Sequence, residues 1–398
     1  MRKYRLAVLN SHPIQYFAPL YRRLALEPDI ELTVYYCSRQ GLDSYVDKGF
    51  GGEVVRWDMP LLEGYHSVFL DNLRTNKEVH GFWSLINPGI TKALRKERYD
   101  AIWVHGHNYL THLLAYVTAK IVGTAIFTRG ETHLLLQRSK WKIRLRAPAL
   151  RMFYSQCSAC LAIGSLNTAF YRYHGVPERK IFLVPYTVDN EYFMRLAHSS
   201  RLQLPQLRAQ LGLRVNVPVV LYASKFTQRK RPMDLLTAKA HLEQQGLECV
   251  MLLIGAGEEE VNLREYAENH ELRDVHFLGF RNQSELPALY ALADIFILPS
   301  ENEPWGLIIN EAMCASLAIV ATDEIGAVPD LVHEGENGMR YKARDIDRLT
   351  SHLASLLRDP ERCRRMGETS RTIIASWSYE QCVQGVKEAL RAVRSTGV

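Results

Sequence analysis

The chain has 398 residues, which at about 150 residues per domain suggests two or three domains. Hydrophobic residues make up 47% of the chain and charged residues 23%, so a wholly disordered, collagenous or coiled-coil protein is excluded. The net charge is +6, but residues 1–200 hold 26 basic and 16 acidic side chains, whereas residues 201–398 hold 23 and 27. So mild a net charge gives no argument for nucleic acid, and we expect no nucleic-acid partner.

Short apolar runs recur along the chain, and segments with helical periodicity, such as 17–26 and 286–293, separate most of them. Continuous apolar strands that alternate with helices predict parallel sheets covered on both faces. The predicted strands are residues 6–9, 32–36, 101–104, 125–127, 160–163 and 181–184 in the first half, and 219–222, 250–254, 275–278, 295–298 and 318–321 in the second. Two such series predict an α/β protein with two doubly wound domains.

The strand pattern lapses near residues 187–215, so we place the domain boundary there. We predict a Rossmann-like domain over residues 1–190, a second one over 191–375, and a C-terminal helix over 376–398 that packs back toward the first domain. Doubly wound sheets bind ligands beyond the carboxyl ends of their strands. Two facing domains therefore predict a site in the central cleft between them.

Neither a membrane span nor a signal peptide is expected. No stretch reaches the ~18 unbroken apolar residues of a spanning helix, and the apolar run near the N-terminus is shorter than the ~7–15 residues of a signal peptide. The seven cysteines are too sparse for a disulfide scaffold and fit free thiols in a reducing cytoplasm. Cys157 and Cys160 form a lone C-x-x-C pair, which we predict to be buried cysteines because zinc requires a second pair.

The stretch 300–311 (SENEPWGLIINE) carries the most information about chemistry. A buried strand runs into a polar loop that holds Glu303, and a helix begins near Gly306 with Glu311 inside it. The N-terminus of a helix offers free N–H groups and the positive end of the helix dipole, which suit a phosphate. Two carboxylates beside an anion site fit acceptors of hydrogen bonds from sugar hydroxyl groups.

Two further motifs follow predicted strands. Lys225 and Lys230 follow strand 219–222, where their ammonium groups would clamp a diphosphate, although a solvated turn is the alternative. Gly255 and Gly257 follow the next strand, but the third glycine of a dinucleotide fingerprint is missing and three glutamates come next. This G-x-G is weak evidence for NAD.

Together these motifs resemble the retaining glycosyltransferases of family 4 (group 1), which have the GT-B fold. The E-x7-E hallmark of that family is present as Glu303 and Glu311, and the similarity covers roughly residues 175–365. The other matching pieces are residues 175–185, 188–189, Phe193, 278–280, 289–294, 298–300, 311–313, 320–323, Gly326 and 336–338. The resemblance implies an enzyme that moves a sugar from a UDP- or GDP-sugar to a glycan or lipid-linked acceptor, with retention at the anomeric carbon. Bacterial-type cell-surface polysaccharide or glycolipid synthesis is the implied setting.

The resemblance also implies roles for individual residues. Lys225 stands where the family usually has arginine, and its ammonium lacks the bidentate fork of a guanidinium. No metal or other cofactor is implied, because cationic side chains and a helix end would neutralise the leaving diphosphate. The implied donor contacts are Lys225 and Lys230 with the diphosphate, Glu303 with the sugar, Glu311 with the ribose, Gly306 and Leu307 with phosphate through their N–H groups, and Gly255, Gly257 and Phe280 with the base.

The first half resembles the family less, and its domain is expected to bind the acceptor. Residues 11–17 (SHPIQYF) replace the usual glycine-rich loop after the first strand, which makes His12 and Gln15 candidates for acceptor contact. His105 ends another strand and is a further candidate on the cleft. A zinc site there would need a third clustered ligand.

Family members often place a histidine after a mid-domain strand, close to the transferring sugar, in a Thr-x-His spacing that is absent here. Arg129 and Glu131 stand nearest to that position, and His133 lies two residues beyond. His107 is another candidate, and a structural role is the alternative for each histidine. The candidate catalytic residues are therefore Glu303, Lys230, Arg129, Glu131 and His107, and the acceptor or cleft candidates are His12, Gln15, His105 and His133.

The basic excess of the first half concentrates in residues 138–151, which hold six cations and no acid. Trp141, Ile143, Leu145 and Leu150 are interleaved with them. This pattern indicates an interfacial segment for an anionic membrane, which would make the protein peripheral on the inner face. A solvated helix face or an acceptor-binding wall is the alternative.

Other functions compete with glycosyl transfer. A nucleotide-sugar epimerase or a phosphorylase on the same fold would act without an acceptor or with inorganic phosphate. A non-catalytic sugar-nucleotide binder is a further alternative, although Glu303, Glu311 and Lys230 are all present. An NAD oxidoreductase is the least favoured because of its broken glycine fingerprint.

Overall fold

A computed structural model describes residues 2–74, 79–136 and 140–395. The chain divides into two compact units. Unit 1 comprises Met1–Tyr45, Met59–Tyr186 and Tyr379–Val398, and unit 2 comprises Val46–Asp58 and Thr187–Ser378. The predicted boundaries after 190 and 375 lie close to two of these divisions, whereas the prediction did not separate Val46–Asp58 from the first domain.

The strands are β1 (Tyr4–Asn10), β2 (Ile30–Tyr36), β3 (Tyr45–Asp47), β4 (Glu53–Val55), β5 (His66–Phe69), β6 (Ala101–His105), β7 (Ala125–Arg129), β8 (Ala159–Ala162), β9 (Ile181–Leu183), β10 (Val219–Ala223), β11 (Val250–Ile254), β12 (Val275–Gly279), β13 (Ile295–Leu298), β14 (Ala318–Thr322) and β15 (Gly338–Tyr341). Each predicted strand overlaps one of them. The predictions omitted β3, β4, β5 and β15.

The helices are α1 (Ala18–Leu26), α2 (Gly89–Glu97), α3 (Leu110–Val122), α4 (Lys140–Gln156), α5 (Ser165–Tyr173), α6 (Asn190–Arg201), α7 (Leu204–Gln210), α8 (Pro232–Gln244), α9 (Glu260–Asn269), α10 (Leu286–Leu292), α11 (Leu307–Cys314), α12 (Val328–Leu331), α13 (Ile346–Arg358), α14 (Pro360–Ala375) and α15 (Tyr379–Ser395). Short 3-10 turns occupy Lys48–Phe50, Glu178–Lys180 and Gln228–Lys230. None of the helices described is long and apolar enough to cross a bilayer.

The sheet of unit 1 has the order β5-β2-β1-β6-β7-β8-β9. All neighbouring strands in it are parallel. Its chain order reverses direction between β1 and β6. In an open parallel sheet, this switch point leaves a crevice beyond the carboxyl ends of the two strands. The loop that holds His12 and the loop that holds His107 leave β1 and β6 at this point.

The main sheet of unit 2 has the order β12-β11-β10-β13-β14-β15, again with parallel neighbours. Counted from its first strand this is the 3-2-1-4-5-6 order of a doubly wound nucleotide-binding sheet. The switch point lies between β10 and β13. The loops that follow these two strands carry Lys230 and Glu303, so the topology brings the two predicted motifs to one crevice.

The central strands of both sheets are buried on their two faces and are apolar on both sides. In β1, Leu6 and Val8 join one core cluster while Ala7 and Leu9 join another, as the alternation of side chains in a strand requires. Helix α15 packs into the first of these clusters through residues such as Val386, and Lys387 forms an ion pair of 2.9 Å with Asp29. The C-terminal helix is therefore part of unit 1.

Candidate functional site

The central feature of unit 2 is an ion pair at the switch point of its sheet. Lys230 ends the 3-10 turn after β10, and its Nζ lies 2.5 Å from Oε2 of Glu303 in the loop after β13. Arg229 reaches the same carboxylate oxygen with a distance of 2.8 Å. The lysine and glutamate side chains are only 12% and 11% exposed. Two candidate residues that lie 73 positions apart are thus in direct contact.

Lys230 is held in a strongly positive surrounding. Burial lowers the pKa of Lys230, and the neighbouring Arg229 and Lys225 lower it further, while the Glu303 carboxylate raises it. Lys225, Arg229 and Lys230 face two carboxylates there, those of Glu303 and Asp47, so one positive charge remains in excess at this crevice. Such an excess is suited to an anionic group.

The second glutamate of the motif lies deeper. Glu311 is fully buried in α11, and the hydroxyl of Tyr290, also fully buried, donates a hydrogen bond of 2.8 Å to its Oε2. Gly306 caps this helix with a φ of 92°, a left-handed conformation that favours glycine. A Cβ at Gly306 would lie 3.6 Å from Cγ of Glu303, so the start of α11, with Leu307, lies beside the loop that carries Glu303.

Gly255 and Gly257 follow β11, where their role is visible in the backbone. A Cβ at Gly255 would lie 1.9 Å from the carbonyl oxygen of Ser224, and one at Gly257 would lie 2.3 Å from that of Phe226. The two glycines therefore let the loop after β11 approach the loop after β10. This close packing explains the G-x-G pattern without a dinucleotide.

Within unit 2, the segment Val46–Asp58, which we call the inserted hairpin, contacts Lys225 and Phe280. It contains β4 and all of β3 except Tyr45, and these two strands form a two-stranded sheet. Asp47 binds the Lys225 ammonium through both carboxylate oxygens, at 2.9 and 3.0 Å. The ammonium also lies 4.5 Å from the centroid of the Phe50 ring. Lys225 is thus paired with the hairpin rather than with Glu303.

The hairpin also covers Phe280. The Phe50 ring packs edge-on against Phe280 with centroids 4.9 Å apart, and Trp57 approaches the same ring at 6.5 Å. Beyond the ring, the Asn282 side chain donates to the carbonyl of Arg56 at 2.7 Å. The positions predicted to meet a nucleotide base and its diphosphate are therefore the positions that the hairpin touches.

In unit 1, Arg129 and His105 come together at the carboxyl ends of β7 and β6. The Arg129 guanidinium is buried and lies 5.1 Å from the ring centroids of both Phe17 and Tyr186. His105 shares a hydrogen bond of 3.0 Å with the Tyr21 hydroxyl. Burial, with smaller effects of Arg129 and His112, lowers the pKa of His105 well below its usual range, so this imidazole is neutral at pH 7.

The remaining candidates of unit 1 are more dispersed. Gln15 and His133 are buried, whereas His107 is exposed and packs against Phe153 of α4 with centroids 5.4 Å apart. Burial lowers the pKa of His12 to about 4, and its Nδ1 lies 2.9 Å from the Ser11 hydroxyl.

Glu131 is exposed and hydrogen-bonds Tyr186, the ring that stacks on Arg129. Glu131 is therefore linked to Arg129 through the Tyr186 ring. The His107 ring lies against Phe153 of α4.

Sequence reasoning missed several residues at the site of unit 2. Arg229 is next to Lys230 in the sequence and Tyr290 lies inside the matching piece 289–294, so both had a local signal. Asp47 and Phe50 had none, because they lie 178 and 230 positions before the residues they contact. The neighbouring Arg231, by contrast, pairs with Asp234 and Glu301 and supports the start of α8.

Within residues 2–74, 79–136 and 140–395, no group of three or more His, Cys, Asp or Glu side chains is arranged to hold a metal ion. The seven cysteines are buried and unbridged. Burial raises the pKa of Cys157 to about 12 and also raises the pKa of Cys160, as expected for inert core thiols.

Part of the chain is similar to a known protein family. Residues 204–373 match the family model described as Glycosyl transferases group 1. The chain is 28% identical over 207 residues to the N-acetyl-alpha-D-glucosaminyl L-malate synthase of Bacillus anthracis, covering 52% of this chain and 50% of that protein. It is 29% identical over 224 residues to the GDP-mannose-dependent alpha-(1-6)-phosphatidylinositol monomannoside mannosyltransferase of Mycobacterium tuberculosis, covering 54% and 57%. The chain spans about half the length of the curated relatives it matches.

The fold has relatives among solved structures. The Anabaena protein HepE, solved in complex with UDP, superimposes with a TM-score of 0.72 at 19% identity, covering 98% of this chain and 100% of that one. This likeness shows the fold, and the prediction of a GT-B protein is confirmed. The resemblance to the group 1 glycosyltransferases is confirmed for the part of the chain that matches the family model.

Tyr290→Phe tests the support of the buried glutamate. The change removes only the hydroxyl that donates to Glu311, and we expect it to lower the free energy of unfolding of unit 2 by about 1–3 kcal/mol. Urea unfolding measures the effect. Tyr266→Phe is the matched control, because the Tyr266 hydroxyl has no hydrogen-bond partner among the described residues. Equal free energies of unfolding for Tyr290→Phe and Tyr266→Phe would contradict a stabilising hydrogen bond from Tyr290 to Glu311.

Proposed function

We propose that this chain, whose residues 204–373 match the family model of the group 1 glycosyl transferases, is a retaining glycosyltransferase of family 4. It would move a sugar from a nucleotide diphosphate sugar to a glycan or lipid-linked acceptor. The observation that carries the proposal is the contact of Lys230 with Glu303 at the switch point of the unit 2 sheet, with Lys225 and Arg229 nearby. Cations for a diphosphate and a carboxylate for sugar hydroxyls stand together there.

A UDP- or GDP-sugar is the proposed donor. The excess of positive charge around Lys230 suits the diphosphate, and Phe280 offers a ring against which a base can stack. The HepE structure contains UDP, and the mycobacterial relative is named as GDP-mannose-dependent. The two relatives support a uridine and a guanosine nucleotide equally, so we propose either as the donor nucleotide.

The chemistry follows from charge. In the proposed transfer, the bond between the anomeric carbon and the donor phosphate oxygen breaks, and an acceptor hydroxyl oxygen bonds to that carbon on the same face. The hydroxyl proton passes to the leaving phosphate oxygen. Lys230 and Lys225 would stabilise the negative charge that develops on the diphosphate, the task that a divalent cation performs elsewhere. We therefore expect transfer without added metal.

The acceptor is assigned to unit 1, at the carboxyl ends of β1, β6 and β7. Arg129 and His105 lie there, in contact with Trp103 and Tyr21 respectively. Because burial keeps His105 neutral, its role would be to hydrogen-bond an acceptor rather than to carry charge. Bacterial-type cell-surface polysaccharide or glycolipid synthesis is the setting we propose, with the protein cytoplasmic and peripheral on the inner face of the membrane.

Helix α4 supports the membrane part of the proposal. Arg138 and Ser139 of the predicted segment lie outside the described residues, but Trp141, Leu145 and Met152 are 62%, 73% and 70% exposed on α4. Leu113, Val117 and Ile121, spaced four apart on α3, are exposed as well. Arg144, Arg146 and Arg151 are exposed on α4 among these apolar side chains. Apolar side chains flanked by cations fit the interface of an anionic bilayer.

Lys230→Gln and Glu303→Gln test the transfer site. Each change removes a charge-assisted hydrogen bond to the donor, so we expect sugar transfer to fall by more than about tenfold. A thermal-shift screen of UDP-, GDP- and ADP-sugars first identifies the donor. Glu265→Gln, an exposed change on α9, is the control.

Full activity in both site variants would refute the assignment. Turnover of the donor without any acceptor would instead indicate an epimerase, and a requirement for inorganic phosphate would indicate a phosphorylase.

Asp47→Asn tests whether the inserted hairpin competes with the donor. A diphosphate that binds Lys225 must replace the Asp47 carboxylate, which also repels it. Because this pair is partly exposed, we expect the variant to bind UDP or GDP up to about fivefold more tightly, as measured by titration calorimetry. Glu53→Gln changes the charge of the hairpin equally at an exposed position and should leave the affinity unchanged. Weaker binding by Asp47→Asn would mean that Asp47 positions Lys225 for the donor.

Sedimentation with vesicles tests the membrane contact. We expect the chain to sediment with phosphatidylglycerol vesicles but not with phosphatidylcholine vesicles at low salt, because screening weakens attraction to anionic lipid. The double variant Arg144→Gln/Arg146→Gln should sediment less. Lys92→Gln/Arg95→Gln, which removes two exposed cations from α2, should behave as the parent protein. Equal sedimentation with both vesicle types would refute the contact.

A further inference from the structure

A cavity of about 810 Å³ lies in unit 2 and is unrelated to the site described above. Its lining includes Pro218, which precedes β10, Asp294, which precedes β13, and Ser316, which lies before β14. These residues stand at the amino ends of parallel strands. Lys230 and Glu303 follow the carboxyl ends of the same strands, so the cavity lies at the opposite edge of the sheet.

Arginines from three helices line this cavity, which we call the arginine cavity. Helix α6 contributes Arg201, α7 contributes Arg208, and α14 contributes Arg364 and Arg371. The carboxylates that line it are Asp294 and Glu368. Four cations against two carboxylates leave an excess of two positive charges on its walls.

Local ion pairs account for only part of that charge. Arg364 pairs with Glu361 at 2.7 Å and also with Glu368, so its guanidinium is already occupied. Asp294 accepts a hydrogen bond of 2.8 Å from the N–H of Val219. In the part of the chain that the structure describes, Arg201, Arg208 and Arg371 have no carboxylate within ion-pairing distance.

Two of these three guanidinium groups are fixed in place by backbone carbonyls. Arg201 donates through Nη2 to the carbonyl of Ala315. Arg208 donates through Nη1 to the carbonyls of Arg214 and Val217, at 2.8 and 3.2 Å. A guanidinium has five N–H donors, so each keeps donors for a ligand after these bonds are made. The Arg201 and Arg208 guanidinium groups are therefore held in place before a ligand binds.

The cluster is also electrostatically unfavourable by itself. Burial and the nearby charge of Arg371 together lower the pKa of Arg201, and Asp294 offsets only part of this effect. An anion in the cavity would relieve the repulsion between Arg201 and Arg371. The arrangement is the one that a binding site for a multiply charged anion requires.

We propose that the arginine cavity binds a phosphate-bearing small molecule through Arg201, Arg208 and Arg371. A phosphate monoester carries about −1.5 to −2 at pH 7, which matches the excess of two positive charges, whereas a single carboxylate does not. Guanidinium groups bind phosphate oxygens in bidentate fashion. The volume falls within the roughly 300–1,000 Å³ of small-molecule sites, so a sugar phosphate or a diphosphate fits.

Titration calorimetry with pyrophosphate and with glucose 1-phosphate tests this site at constant ionic strength. All chains carry Lys230→Gln, which weakens phosphate binding at the opposite edge of the sheet. Arg371→Gln removes an exposed guanidinium that supports no backbone carbonyl among the described residues, so folding should be preserved. Arg365→Gln is the matched control, because Arg365 is exposed on the same helix but does not line the cavity.

We expect the chain with Lys230→Gln alone and the chain that also carries Arg365→Gln to bind pyrophosphate and glucose 1-phosphate with equal affinity. The chain that also carries Arg371→Gln should bind both ligands roughly tenfold more weakly. Equal affinity of Arg371→Gln and Arg365→Gln would overturn the proposal, and so would the absence of binding in the Lys230→Gln chain. Glucuronate is the third ligand in the series. If it binds as tightly as glucose 1-phosphate, the assignment to phosphate is wrong.

Discussion

The ion pair between Lys230 and Glu303 is the interaction on which the site of unit 2 depends. The two side chains leave loops after β10 and β13, and only the parallel pairing of these strands brings those loops together. Burying both charges costs free energy that their attraction need not repay, so such a pair is weak evidence for stability. The pair instead lies at the switch point of a doubly wound sheet, where ligands bind. A ligand bound there would replace each of the two side chains as the partner of the other. The buried Glu311 and its bond from Tyr290 complete the same edge of the sheet.

Much of the fold was predictable because most strands are continuous apolar runs. Strand β15, in contrast, contains Gly338 and Arg340, and β5 begins at His66, so neither shows such a run. The Lys230 and Glu303 loops were predictable from motifs that follow strands. The inserted hairpin was not, because Asp47 reaches Lys225 through the fold and nothing near Asp47 in the sequence indicates that partner.

The difference in net charge between the two halves of the chain does not show where the cations lie. Unit 2 belongs largely to the half with an acidic excess, yet its cations gather at both edges of its sheet: Lys225, Arg229 and Lys230 at the carboxyl edge, and three arginines at the amino edge. In unit 1 the exposed arginines of α4 stand among exposed apolar side chains. Each cluster is built on different elements of the fold and is proposed as a separate anion site. A net charge of +6 describes none of them.

The central claim is that a nucleoside diphosphate binds at the carboxyl edge of the unit 2 sheet. Photolabelling with an azido-substituted nucleoside diphosphate, followed by peptide mapping, tests it most directly. The account predicts labelled peptides around Gly255, Gly257 and Phe280, where the base would lie, and protection of these peptides by an excess of unlabelled nucleotide. Labelling confined to peptides of unit 1, or labelling that unlabelled nucleotide does not suppress, would contradict the account.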